Sequence, residues 1–226
     1  MIESVKQGYA NGICTQMQKN SDGQLIPLTD EDKEYIINTA AYHYGNFLEA
    51  LGVDWEDDPN SNKTPYRVAK AYVHDLWKGR YNTSPQITAF PSDGYDGIVQ
   101  ESYIPLTSMC SHHHETILGH CHIAYIASKD GKVIGLSKIN RIVEHFSRRG
   151  SIQEQLTVAI HNAINKICEG NQGVAVMITA THNCVQCRGV KHGGASMQTN
   201  VLSGAFKEVD SARAEFYKNI ELSSKS

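Results

Sequence analysis

The sequence predicts an α+β protein, with a helical stretch first and then an antiparallel sheet into which two helices are inserted. Three observations predict it. Between residues 29 and 79 apolar positions recur at helical spacing. Beyond Gly94 the texture changes to strand-like runs separated by turn signals. Two further helical patterns, 137–149 and 151–169, stand between those runs. The expected organisation is an N-terminal arm (1–28), a helical N-terminal part (29–90) and an α+β domain (91–226) that carries the chemistry.

Each element has a local cause. Gly8, Gly12, Gly23 and Pro27 interrupt any period in the polar arm. From Thr29 to Leu51, Ile36, Ile37, Ala40, Ala41, Tyr44, Leu48 and Leu51 share one helical face; Thr29 and Asp32 have capping-box spacing, and Gly52 stops the helix. After the loop 54–62, Thr64-Pro65 reads as an N-cap followed by proline at the first helical position, with an end near Gly79. Ile98–Leu106 alternates loosely, while Thr116–Ala127 and Lys132–Leu136 flank Lys129-Asp130-Gly131 as a hairpin would. Ser137–Arg149 carries Ile139, Ile142, Val143 and Phe146 on one side. Ser151–Glu169 carries Leu156, Ala159, Ile160, Ala163, Ile164 and Ile167, with Ser151 and Glu154 at capping-box spacing. Gly173–Thr181 reads as a largely buried strand, Ser196–Leu202 as another, and Ser211–Ile220 as a closing helix.

At 226 residues the chain can bury a core without disulfide staples, and 40% hydrophobic with 20% charged residues is ordinary globular composition. Twenty-one Lys+Arg against 24 Asp+Glu give a formal charge of -3, which excludes a strongly basic nucleic-acid binder but not a local pocket for a small anion. No run approaches the roughly 18 apolar residues of a membrane helix. Met1–Lys6 lacks the layout of a signal peptide, so the six cysteines are expected in a reducing, cytoplasmic setting where thiols serve metals or catalysis.

The chemistry concentrates in two short segments. Cys110-Ser111-His112-His113-His114 is followed by Gly119-His120-Cys121-His122, and His182-Asn183-Cys184-Val185-Gln186-Cys187-Arg188 lies far downstream. Thiolate and imidazole are zinc donors, and two distant clusters commonly complete one tetrahedral site. Spacing alone slightly favours a closed structural set of Cys110, His113, Cys184 and Cys187. An open site with three ligands, flanked by His112 and His182 as proton-transfer groups, accounts better for the extra histidines. Both readings stand at this level. Lys138 and Arg141, on the first turns of a helix, read either as a solvated face or, with Arg67, Lys70 and Arg188, as a pocket for several phosphates. Glu154 reads either as a helix cap or as a carboxylate for the N–H edge of a purine.

Taken in order, Thr64-Pro65-Tyr66-Arg67-Val68-Ala69-Lys70, Cys110-Ser111-His112-His113, Gly135-Leu136-Ser137-Lys138-Ile139-Asn140-Arg141, Gln153-Glu154 and His182-Asn183-Cys184 with Arg188-Gly189 resemble the GTP cyclohydrolase I family, from about residue 30 to 220. The resemblance implies the tunnelling (T-) fold and a homodecamer of two face-to-face pentamers with active sites between subunits. It implies conversion of GTP and water to 7,8-dihydroneopterin triphosphate and formate, a product that can feed folate, biopterin or deazaguanine pathways. Carried over by motif, Cys110, His113 and Cys184 would hold Zn2+, with Cys187 outside the set. His112 and His182 would move protons, and Ser137 would lie by the ribose. Gln153 and Glu154 would hold guanine; Lys138, Arg141, Arg188, Arg67 and Lys70 would serve the triphosphate.

The chain departs from the family pattern at Ser111, where the family usually has Glu, and at His114, where it commonly has an apolar residue. These departures leave room for a relative that stops after ring opening and deformylation or acts on another guanine nucleotide. A 7-deazaguanine nitrile reductase would not explain the zinc-like trio, and a non-catalytic zinc-stabilised oligomer has no use for His112, His182 and Glu154 together. His120 and His122 alternate around Cys121, which fits packing better than a second metal.

Overall fold

The computed structural model describes residues 28–224, which divide into two compact units between Thr83 and Ser84. All of the expected arm except Leu28 lies outside the described residues.

In the first unit, α1 spans Asp30–Ala50. The expected capping box is present: Asp32 N–H donates to Thr29 Oγ1 at 3.1 Å and Thr29 N–H donates to the Asp32 carboxylate at 2.9 Å. Gly52 follows the helix at φ 75, a conformation in which a side chain would be strained. Helix α2, Thr64–Ala71, has Pro65 in its first turn, but Thr64 is not its cap: Lys63 precedes it and supplies no side-chain cap bond. Nor does the helix run on to Gly79. It widens into a π turn at Tyr72–Leu76, closed by Trp77 N–H donating to Tyr72 O at 2.8 Å, and resumes as α3, Lys78–Tyr81. Ile37, Ala69 and Val73 form the small core, with Ile36, Ala41 and Tyr81 packed on it. Of the face expected for α1, Ile37 is buried, whereas Ala40 and Leu51 are exposed.

The second unit is built on a four-stranded antiparallel sheet of β2 (Ile98–Met109), β3 (Thr116–Ile126), β5 (Gly173–His182) and β6 (Ser196–Leu202), in the spatial order β2-β3-β5-β6. The expected hairpin across residues 129–131 does not form. Strand β4, Lys132–Ile134, pairs instead with β1, Ala89–Pro91, a short strand without a sequence signal. The reason is that β2 and β5 already occupy both edges of β3. The turn is tied to the 89–94 segment: Ser92 Oγ lies within hydrogen-bond reach of Ser128 O and Lys129 O, and Ser92 N–H donates to Gly131 O.

Helices α4 (Leu136–Ser147) and α5 (Gln153–Ile167) cover one face of the sheet. Their Ile139, Ile142, Val143, Leu156, Ile160 and Ile164 pack with Cys121, Ile123 and Tyr125 of β3 and Val174, Val176 and Ile178 of β5. Each fully buried isoleucine contributes roughly 1.5–3 kcal/mol. On the opposite face, after the short helix α6 (Asn183–Gln186) and strand β6, come α7 (Ala205–Glu208) and α8 (Asp210–Ser223). Phe206, Phe216 and Ile220 close over Ala124, Ile126 and Ala175. Covered on both faces, β3 and β5 read as nearly continuous apolar runs rather than as alternation. No helix among the described residues is long and apolar enough to cross a membrane.

Candidate active site

The topology brings the two cysteine segments together. Strands β2 and β5 flank β3 and both run against it, so their C-terminal ends lie side by side at one end of the sheet. Cys110 follows β2 directly, and Cys184 lies two residues past the end of β5. The β2–β3 loop is closed by Cys110 N–H to Glu115 O (2.9 Å) and His114 N–H to Cys110 O (3.0 Å), with His114 at φ 56. The start of α5 is tied to the same end through Ser151 N–H donating to Met109 O at 3.1 Å.

There the Cys110 thiol stands close enough to the Cys184 thiol to act on its ionisation. Burial pushes the Cys184 thiol up from its ordinary range, Cys110 adds to the rise, and nearby Arg188 pulls against it. His112 Nδ1 lies 3.7 Å from the Cys110 sulfur. His182 Nε2 lies 2.8 Å from Gln153 Oε1, and burial holds its imidazole below its usual pKa while Glu154 draws it back up. Six residues expected at one site therefore meet here: Cys110, Cys184, His112, His182, Glu154 and Arg188.

Other expected residues are placed differently. Cys187 is exposed, and its thiol donates to Asn183 O at 2.8 Å, so the closed four-ligand set is not assembled. His113 is exposed on the loop with its ring centroid 6.3 Å from that of His112, and among the described residues no group of three or more His, Cys, Asp or Glu side chains converges enough to hold a metal ion. Cys110 is buried directly after β2 and Cys184 is half-buried just past β5, whereas His113 is exposed on the loop. The capping role for Glu154 is absent: Ile152 is the N-cap of α5, with no side-chain cap bond, and Glu154 is exposed. Gln153 does not face outward as a guanine contact. It is 1% exposed, and its amide is engaged within the protein.

Ser137, Lys138 and Arg141 sit on the first turns of α4, but away from the thiols. The C-terminal end of α4 is fastened near Cys110 by Ser108 Oγ donating to Ser147 O at 2.7 Å. Ser137 is ten helical residues back along the axis, about 15 Å. Asn140 confirms the direction, bonding Glu101 well down β2 at 2.6 Å. Arg67 and Lys70 belong to the helical unit, where Arg67 donates to Asn60 O at 3.3 Å. Sequence reasoning missed Thr157 and Thr199, which hold Gln153; Thr157, one turn past Gln153, offered only a weak signal, and Thr199 none.

A model of the family described as GTP cyclohydrolase I matches residues 40–221. The chain belongs to the GTP cyclohydrolase I family. Membership places it among the hydrolases, and the expected α+β fold with two helices inserted in an antiparallel sheet is the one observed. Relatives named GTP cyclohydrolase 1 include that of Aeromonas salmonicida, 44% identical over 176 residues that cover 77% of this chain and 79% of that one. The Photobacterium profundum protein is 42% identical over 193 residues, 84% and 85% of the two chains. The Tolumonas auensis protein is 40% identical over 209 residues, 92% and 91%. A crystal structure of the archaeosine synthase QueF-Like in the apo form aligns with 48% of this chain and 94% of that chain at TM-score 0.38 and 16% identity, too distant to carry an argument.

Proposed function

We propose that this chain is a zinc-dependent GTP cyclohydrolase I that converts GTP and water to 7,8-dihydroneopterin triphosphate and formate in the cytoplasm. The observation that carries the reading is the meeting of a thiol pair with His112, His182 and Glu154 at one end of the sheet, in a chain of this family. The donor chemistry fits zinc. Cys110 raises the pKa of Cys184 because two neighbouring thiolates repel, and a soft divalent cation relieves that repulsion. Cys110 and Cys184 would hold the metal, with His113 of the same loop as third donor. When bound, zinc supplies Lewis acidity that lowers the pKa of water to roughly 7.

The protein side chains do the rest. Glu154 accepts from the N–H edge of guanine and fixes its face. His182 and His112 give and take the protons that the opening of the imidazole ring and the loss of formate require, imidazole being the side chain suited to both directions near neutral pH. Arg188 offsets negative charge of the triphosphate next to the thiols. Ser137, Lys138 and Arg141 act at ribose and phosphates, and their distance along α4 from the thiols of their own chain supports a homo-oligomer, a decamer on the family resemblance, in which neighbouring copies complete the site. Arg67 and Lys70 serve the same phosphates.

The test is incubation of metal-replete protein with GTP, following formate and the fluorescence of oxidised pterin in parallel. Both signals are expected. Formate alone would mean that the reaction stops at deformylation, and neither signal with zinc bound would refute the assignment.

A further inference from the structure

We infer that Gln153 is a positioning residue that fixes the tautomer and orientation of His182, with the hydrogen on Nε2 and the lone pair on Nδ1. The role in turnover rests on the function proposed above; the tautomer does not. Gln153 is the first residue of α5 and is 1% exposed. Its Nε2 lies 3.1 Å from Ile178 O, 3.1 Å from Met197 O and 3.1 Å from Thr199 Oγ1. Two of these partners are carbonyl oxygens, which only accept, so the amide nitrogen must point at the strands. The flipped amide would press Oε1 against both carbonyls and leave a buried donor unmet. That settles the other side of the group: Oε1 faces His182 Nε2 at 2.8 Å. An amide oxygen cannot donate, so His182 Nε2 carries the hydrogen. In the neutral ring the lone pair is then on Nδ1, which has no hydrogen-bond partner among the described residues.

The surrounding hydroxyls leave no second arrangement. Thr157 Oγ1 donates to Gln153 O at 2.7 Å, so Thr199 Oγ1 is the donor in its 2.7 Å contact with Thr157 Oγ1 and, with the two carbonyls, shares the two hydrogens of the Gln153 amide. Thr157 is fully buried, as a support for a fixed side chain should be. Helix α5 and strands β5 and β6 are thus joined through one glutamine, and that glutamine aims one imidazole.

The test has a spectroscopic arm and a kinetic arm. In protein grown with 15N-labelled histidine, solid-state NMR at pH 8 reports which ring nitrogen of His182 is protonated, its signal being assigned by its loss in His182→Phe. The expected result is the Nε2–H form in the wild-type protein and a mixture of tautomers in Gln153→Met. An Nδ1–H form in the wild type would overturn the inference, and that spectrum decides even if Gln153→Met does not fold. In folded Gln153→Met, kcat should fall about 10- to 100-fold, as for loss of other ring-orienting partners, with KM for GTP within twofold of wild type. A raised KM at unchanged kcat would return Gln153 to purine binding and overturn the positioning role. Failure of the wild type to release formate would sink the proposed reaction while leaving the NMR result in force.

Discussion

Gly119→Ala tests whether the site depends on the close approach of β3 and β5. A Cβ on residue 119 would stand 2.1 Å from Thr179 O, 2.5 Å from Ala180 Cα and 2.6 Å from Ala180 Cβ. The first two are backbone atoms of β5 and cannot rotate away. To restore van der Waals separation of about 3.5 Å, the strands must part locally by roughly an ångström. Such a gap weakens ladder hydrogen bonds around the neighbouring pairs Leu118↔Thr181 and His120↔Thr179. Two bonds at about 1 kcal/mol each, with overpacking of about 1–3 kcal/mol, give a destabilisation of about 3–5 kcal/mol. At about 2–4 °C per kcal/mol for a chain of this size, Tm should fall by roughly 6–20 °C. The assay is thermal unfolding by circular dichroism at one fixed protein concentration, because any association would make Tm depend on concentration. Gly193→Ala is the control, since its added Cβ meets nothing within 4 Å. Turnover should drop as well, because the Ile117↔His182 pair lies two residues along the same ladder. A Gly119→Ala protein melting within about 2 °C of wild type would refute the reasoning.

Metal content separates the thiols: Cys184→Ala and His113→Ala should lose zinc by elemental analysis, while Cys187→Ala keeps it, and a metal-free Cys187→Ala would restore the closed ligand set. Acid stability should follow the buried His122 and His145, whose folded pKa values are pushed down to about 4, chiefly by burial and secondarily by His120 and Arg149 respectively. Between about 6.5 and about 4 the unfolded chain takes up protons that these rings refuse when folded, so stability is full above the upper value, declines through the window as pH falls and levels off below it. Allowing for solvent screening, each ring contributes on the order of 1–2 kcal/mol. Urea midpoints at pH 7, 5.5 and 4.5 measure the slope, which His145→Gln should flatten; a rise in stability on acidification would contradict the assignment.

Much of the fold was legible because local signals and burial agree. Thr29 and Asp32 cap α1 as their spacing predicts, and the helical stripes of α4 and α5 are the residues that meet the sheet. The failures have a common cause in competition for partners that spacing does not reveal. Lys132–Ile134 has hairpin spacing from β3, yet β3 has no free edge, so the segment pairs with Ala89–Pro91. Ser151 and Glu154 have capping-box spacing, yet Ser151 is outside the cap position and its N–H goes to Met109 O. Gln153 next to Glu154 looked like a second purine contact, but helix phase turns one inward and the other out.

The same distinction governs the site. Motif order predicts that Cys110, Cys184, His112, His182, Glu154 and Arg188 act together; strand direction brings the two cysteine segments to one end of the sheet, and the Ser151–Met109 bond ties the helix start that carries Glu154 to the same end. Motif order places Ser137, Lys138 and Arg141 in the same site, whereas α4 starts toward Glu101 and only its C-terminal end reaches the thiol end of the sheet. Both statements hold if one copy supplies the metal and proton-transfer groups and another supplies the anion-binding helix start. A chain that folds but does not associate would then keep its zinc and the His182–Gln153 contact while losing GTP turnover. Zinc content and turnover measured on the same dilution series separate a shared site from one complete within a single chain.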